Sequence, residues 1–77
     1  MNKTTRKQLE EIMDELVGHK ETLDQLADEE QEKADNMPEN MQYSERYDQF
    51  VETSDKLREA VDGLDEVIDS IQEVIDM

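Results

Sequence analysis

Two runs of large residues, broken once, constrain this chain more than any other feature. The first is Leu9, Ile12, Leu16, His19, Leu23, Leu26, Glu30, Lys33 and Met37. The second is Tyr47, Phe50, Ser54, Leu57, Val61, Leu64, Ile68, Ile71 and Ile75. Steps of three and four alternate throughout both, which is the a/d seam of a left-handed coiled coil held over four heptads. Composition alone also fits a disordered chain: net charge is -15 and only 34% of residues are hydrophobic. The placement of the aliphatics on one lattice decides for helix.

The break falls at Asn36-Met37-Pro38-Glu39-Asn40, because proline disfavours helix for the residue before it. Pro38 can itself open a short turn as a first helical residue. Ser44 is a good N-cap for the second helix, and Thr4 or Thr5 is expected to cap the first. The expected fold is all-α. Residues 1–77 form one helical hairpin, with helices over about 5–36 and 44–76 and a turn at 37–43. So short a connection favours antiparallel neighbours.

Facing residues should then have numbers that sum to 80. That register pairs Leu9–Ile71, Ile12–Ile68, Leu16–Leu64, His19–Val61, Leu23–Leu57, Leu26–Ser54, Glu30–Phe50 and Lys33–Tyr47. It also sets Lys3, Arg6 and Lys7 beside Asp69, Glu73 and Asp76. Glu30 and Lys33 stand where Leu would be expected, so the turn end should be the looser one.

One seam leaves apolar surface wet, since Met13, Ala27, Ala34, Val51, Ala60, Val67 and Val74 widen the stripe. The expected product is a two-fold homodimer, an antiparallel coiled-coil hairpin paired into a four-helix bundle. Its core candidates are Met13, Leu16, His19, Leu23, Ala60, Leu64, Val67, Ile71 and Val74. Chains this small commonly need such help. A lone hairpin completed by another protein is the competing arrangement. His19 is expected to be a core or half-buried imidazole. Gly18 and Gly63 are expected at the helix surface, with close approach by a partner helix as the alternative reading.

The acids point to a protein partner. Direct nucleic-acid binding is disfavoured, because phosphate neutralisation needs Lys and Arg. Anionic membrane surfaces repel the chain, and no apolar run approaches the roughly 20 residues that span a bilayer. No secretory leader is apparent after the basic start, so a cytoplasmic protein is expected. Like-charged acids four residues apart recur and cost helix stability. A solvated face is one explanation and a positively charged partner the other. Candidates for the acidic contact are Asp24, Asp28, Glu29, Glu32, Asp62, Asp65, Glu66 and Asp69. The turn supplies a second candidate contact in Met37, Met41, Tyr43, Tyr47 and Phe50, as adaptable thioethers beside the only aromatics. These could instead close the turn as a small core.

No catalytic chemistry is expected. One His with scattered Ser and Thr forms no triad signal, and cysteine is absent. There is no phosphate loop or zinc spacing. Asp24 to Asp35 lacks the central Gly of a calcium loop. Glu15-Leu16-Val17-Gly18-His19 has the wrong spacing for a carboxylate-bridged metal bundle. No cofactor or metal is therefore expected.

The turn Asn36-Met37-Pro38-Glu39-Asn40-Met41-Gln42-Tyr43-Ser44-Glu45-Arg46-Tyr47, set between acidic heptad helices, resembles that of a group of short proteins. These are acidic coiled-coil hairpin proteins of unassigned function from phages and mobile elements of Gram-positive bacteria. The resemblance implies an accessory protein of such an element. It carries over no activity and no functional residue.

Two functions from different classes follow as expectations. One is an acidic module that occupies the basic surface of a nucleic-acid-binding protein, as a DNA mimic. The other is a structural or scaffold module that binds through the tip or the apolar flank, with acidity serving only solubility.

Overall fold

Asn2, rather than Thr4 or Thr5, opens the first helix. Its Oδ1 accepts the Thr5 N–H at 2.8 Å and so satisfies one of the free donors of the first turn. The computed structural model describes all residues, Met1–Met77, as two long helices, α1 (Lys3–Asp35) and α2 (Glu45–Ile75). A 3₁₀ turn, Glu39–Met41, lies between them. There are no strands. The helices lie side by side as an antiparallel hairpin, with extents of 60 × 14 × 12 Å.

α1 stops where proline requires. The Asn36 N–H donates to the Glu32 carbonyl at 2.9 Å, and the chain then turns extended at Pro38 (φ -55°, ψ 144°). Pro38 thus precedes the 3₁₀ turn as its cap. Ser44 caps α2: its Oγ accepts the Tyr47 N–H at 3.2 Å and donates to the Met41 carbonyl at 2.6 Å.

The α2 seam follows the heptad run, with Ser54 and Ile75 buried and Tyr47, Phe50, Leu57, Val61, Leu64, Ile68 and Ile71 half-buried. The α1 seam does not. Its covered row is Leu9, Met13, Leu16, Lys20, Leu23, Ala27, Glu30, Ala34 and Met37, with Val17 and Gln31 half-buried beside it. The alternate positions Ile12, His19, Leu26 and Lys33 are exposed. The a positions hold, and the e positions replace the d positions. His19 is therefore outside the hairpin core and does not face Val61 from within it.

Small side chains account for this rotation. Ala27, Ala34 and Ser54 are each fully buried, and the helices approach closely enough for Ser54 Oγ to donate to the Ala27 carbonyl at 3.0 Å. Rotating Ile12 and Leu26 inward would also bring in His19 and Lys33, two polar groups whose burial carries a desolvation cost. The e row contains only one such group, Lys20, which reaches Asp65 at the edge of the seam. The fully buried residues lie in the half nearer the turn. That half, expected to be loose, is the more closely packed. Ser54→Ala should cost about 0.5–1.5 kcal/mol, the net worth of one hydrogen bond, measurable by thermal melting.

With Ala27 level with Ser54, the antiparallel register sets Leu9, Leu16 and Leu23 level with Ile71, Leu64 and Leu57. Met13 lies level with Ile68. These pairings keep the numerical register read from the sequence while shifting half of the α1 partners by one residue.

Gly18 and Gly63 face open space, with no atom within 4 Å of an added Cβ. Both sit in helix with ordinary negative φ. Their surface placement agrees with the first of the two readings. Gly18→Ala and Gly63→Ala should each raise stability by about 0.5–1 kcal/mol through lower unfolded-chain entropy, read as a higher melting midpoint.

Candidate interaction surfaces

The hairpin presents surfaces rather than a cleft. It encloses no cavity, and no three carboxylate or imidazole groups converge as metal ligands. No helix is long and apolar enough to cross a membrane. Its surface chemistry is set by which heptad position each charge occupies.

On α2 the acids follow a strict rule. Asp48, Asp55, Asp62, Asp69 and Asp76 recur every seven residues. Glu45, Glu52, Glu59, Glu66 and Glu73 form a second series of the same period, offset by three or four residues. In heptad terms these are the b and f positions, on the side of the helix away from the seam. Together they set one carboxylate per helical turn, about 5 Å apart along the axis. None of these ten side chains is in an ion pair. The remaining α2 acid, Asp65, sits at e and is paired.

The ion pairs use other groups. Lys20 Nζ meets Asp65 Oδ1 at 2.7 Å across the seam. Arg58 reaches two α1 acids, Asp28 at 2.7 Å and Asp24 at 3.5 Å. The hydrogen bond to Asp65, and then that carboxylate's charge, raise the Lys20 pKa above the ordinary 10.5. The hydrogen bond to Asp28 is the largest influence raising that of Arg58. A cation whose pKa rises on folding stabilises the fold below its unfolded pKa and loses that contribution as pH climbs through the folded value. The Lys20–Asp65 contribution is therefore intact at neutral pH and fades only above the usual lysine range. Lys3, Arg6 and Lys7 form no ion pair with Asp69, Glu73 or Asp76, contrary to the charge layout expected from the register.

The eight acids expected to make a contact occupy several sides. Asp24, Asp28 and Asp65 are engaged by Arg58 and Lys20, although their side chains stay accessible. Asp62, Glu66 and Asp69 belong to the unpaired α2 series. Glu29 and Glu32 lie on α1, exposed and unpaired. The better-ordered feature is the full α2 series. Seven further members, Glu45, Asp48, Glu52, Asp55, Glu59, Glu73 and Asp76, become visible once acids are sorted by heptad position.

The turn divides its candidates. Met37, Tyr47 and Phe50 are half-buried in the hairpin. Lys33 Nζ lies 5.9 Å and Arg46 Cζ 5.6 Å from the Phe50 ring centroid, within cation–π range. Lys33 also meets Glu30 Oε1 at 2.8 Å, so the polar residues on that stretch of seam are paired. Met41 and Tyr43 stand outside, with Tyr43 95% exposed. The turn does not close as one aromatic core.

The expected dimer-core set also divides. Met13, Leu16, Leu23, Leu64 and Ile71 are half-buried within the hairpin, whereas His19, Ala60, Val67 and Val74 are exposed. Ile12 and Leu26, assigned to the seam from sequence, join this outer group. The class of molecule is thus an acidic two-helix hairpin with charge and apolar surface sorted onto different sides. No protein-family model, curated protein or solved structure matches the chain.

Proposed function

We propose that this chain is a non-enzymatic, self-associating protein-interaction module whose acidic surface engages the basic surface of a nucleic-acid-binding protein. The α2 carboxylate series carries the proposal. Ten acids fall on two heptad positions, one per turn, and none is neutralised within the chain. Mixed charges would serve solubility equally well without like-charge repulsion along the helix. A single-sign row provides a repeating anionic edge of the sort that a phosphate-binding surface accepts. Two copies in a four-helix arrangement would be roughly 20–25 Å across, from helix diameters of about 10–12 Å, close to duplex width. This is the proposed basis for DNA mimicry. Acting as a cytoplasmic accessory protein of a phage or mobile element fits the resemblance carried by the turn.

The test is retention on the immobilised chain at about 50 mM salt, followed by salt elution. Screening shortens the reach of exposed charges to about 8–10 Å near physiological ionic strength. The reading predicts capture of a basic nucleic-acid-binding protein that elutes steeply with salt. Capture that is indifferent to salt, or no such protein at all, sinks it.

The exposure of Tyr43 and Met41 favours one second reading, a scaffold module that captures its partner at the turn. Aromatic and thioether side chains are frequent anchors of protein contacts. Under that reading Tyr43→Ala abolishes capture, and neutralising the α2 acids does not.

A further inference from the structure

The two long sides of the hairpin differ in cover. On the side of Arg58, five of the residues next to the seam are half-buried, Val17 and Gln31 of α1 and Val51, Asp65 and Gln72 of α2, while Glu10, Asp24 and Arg58 itself are exposed. On the other side every flanking residue is exposed. These are Ile12, His19, Leu26 and Lys33 of α1, and Thr53, Ala60, Val67 and Val74 of α2. The four large aliphatics among them retain 42–47% exposure (Ile12 46%, Leu26 42%, Val67 47%, Val74 43%). The antiparallel register brings Ile12 nearest in height to Val67, His19 to Ala60, and Leu26 to Thr53, each within about two residues of level. From Val74 to Leu26 the strip runs about 30 Å at 1.5 Å per residue. It ends toward the turn at Lys33 and Arg46, which are drawn onto Phe50.

We propose that this strip is the self-association face, and that its occupant is a second copy of the chain. The inference rests on the self-association proposed above and assigns it to one side. Charge is the first reason. No acid belongs to the strip; Glu15 and Glu29 border it on the α1 rim, and Glu30 lies on its seam edge with its charge taken up by Lys33 at 2.8 Å. Any other lengthwise approach of two chains of net charge -15 brings carboxylate rows together. A basic partner is drawn to those rows, not to this neutral strip.

Fit is the second reason. A two-fold axis along the hairpin lays α1 of one copy over α2 of the other. Ile12 then meets Val67, His19 meets Ala60, and Leu26 meets Thr53, at matching heights in both halves. A strip about 30 Å long and two helices wide, about 20 Å, covers about 600 Å² on each copy. The total of about 1,200 Å² is at the lower bound for a specific interface. The need for cover is the third reason. Only four of 77 residues are buried in the hairpin, so one copy leaves its core unfinished. Joined in this way, the α2 carboxylate series of both copies stays outward.

Sedimentation equilibrium of the unmodified chain should give twice the 9.1 kDa chain mass. L26E with V67E should return to 9.1 kDa, whereas E52Q with E59Q and E66Q, on the outward side, should remain dimeric. An unmodified chain that is helical at 9.1 kDa overturns self-association and the face together. A dimer that persists in L26E/V67E overturns the face alone. Because that variant could fail to fold, I12C and V67C chains are also mixed and oxidised. The I12C–V67C disulfide should dominate over either like pair, by about tenfold. Like pairs at equal or greater yield overturn the arrangement.

Discussion

Replacing Ala27 with leucine should lower the melting midpoint by about 10 °C. Ala27 has no exposed surface, and its carbonyl accepts the Ser54 hydroxyl from the opposite helix. A leucine there can fit only if the helices separate, which breaks that bond and loosens the neighbouring layer at Ala34. Overpacking of this kind costs about 1–3 kcal/mol. For a chain of this size each kcal/mol shifts the midpoint by about 4–8 °C. The same change at an exposed e position of an ordinary a/d seam would be nearly neutral. Circular dichroism melting therefore separates the two seams: an unchanged midpoint means that Ala27 lies outside the interface.

Neutralising the middle of the α2 series should move stability and binding in opposite directions. The variant changes Glu52, Asp55, Glu59, Asp62, Glu66 and Asp69 to their amides. These residues are three or four apart in succession, so each step sets like charges on adjacent turns. Removing repulsion worth a few tenths of a kcal/mol per pair should stabilise α2 by about 1–2 kcal/mol. Capture of a basic partner should fall by about 100-fold at low salt, if each of six exposed contacts contributes about 0.5 kcal/mol. A solvated face predicts the gain in stability with no loss of capture. Melting and binding measured on the same variant thus distinguish a functional row from a solubilising one.

Much of this architecture is legible in the sequence because large side chains mark it. The alternation from Tyr47 to Ile75 identifies the α2 seam, since its aliphatics have no competing lattice. Pro38 and Ser44 define the end of one helix and the start of the next through backbone chemistry that depends little on tertiary context. The α1 seam is harder to read because size ceases to indicate burial where helices approach closely. There alanine is covered and leucine is left outside, as at Ala27 and Leu26. A signal was present: the d row contains His19 and Lys33, whereas the e row has Ala27 and Ala34 seven residues apart. Asn2 is likewise a sound cap by residue type, but the two threonines beside it offer the same kind of acceptor.

The surfaces were legible in part. Like-charged pairs four residues apart mark acidity but not its order, which lies in the heptad positions of the α2 acids. The expected salt bridges at the open end rest on nearness in register alone. Long, solvated Lys3, Arg6 and Lys7 gain little by fixing their rotamers there. Lys20 and Arg58 start from seam-edge positions and need only cross the gap to reach Asp65, Asp24 and Asp28. The exposure of Tyr43 follows from turn hydrogen bonds among Pro38, Met41 and Ser44, which no hydrophobic pattern encodes.

The role proposed for the outward carboxylates is to occupy a surface meant for nucleic acid. Titrating duplex DNA into the complex between this chain and its captured basic partner tests that most directly. Binding should be mutually exclusive, with the acidic chain released as DNA occupies its site and with competition weakening in the α2 amide variant. A ternary complex that holds DNA and the acidic chain together would contradict it.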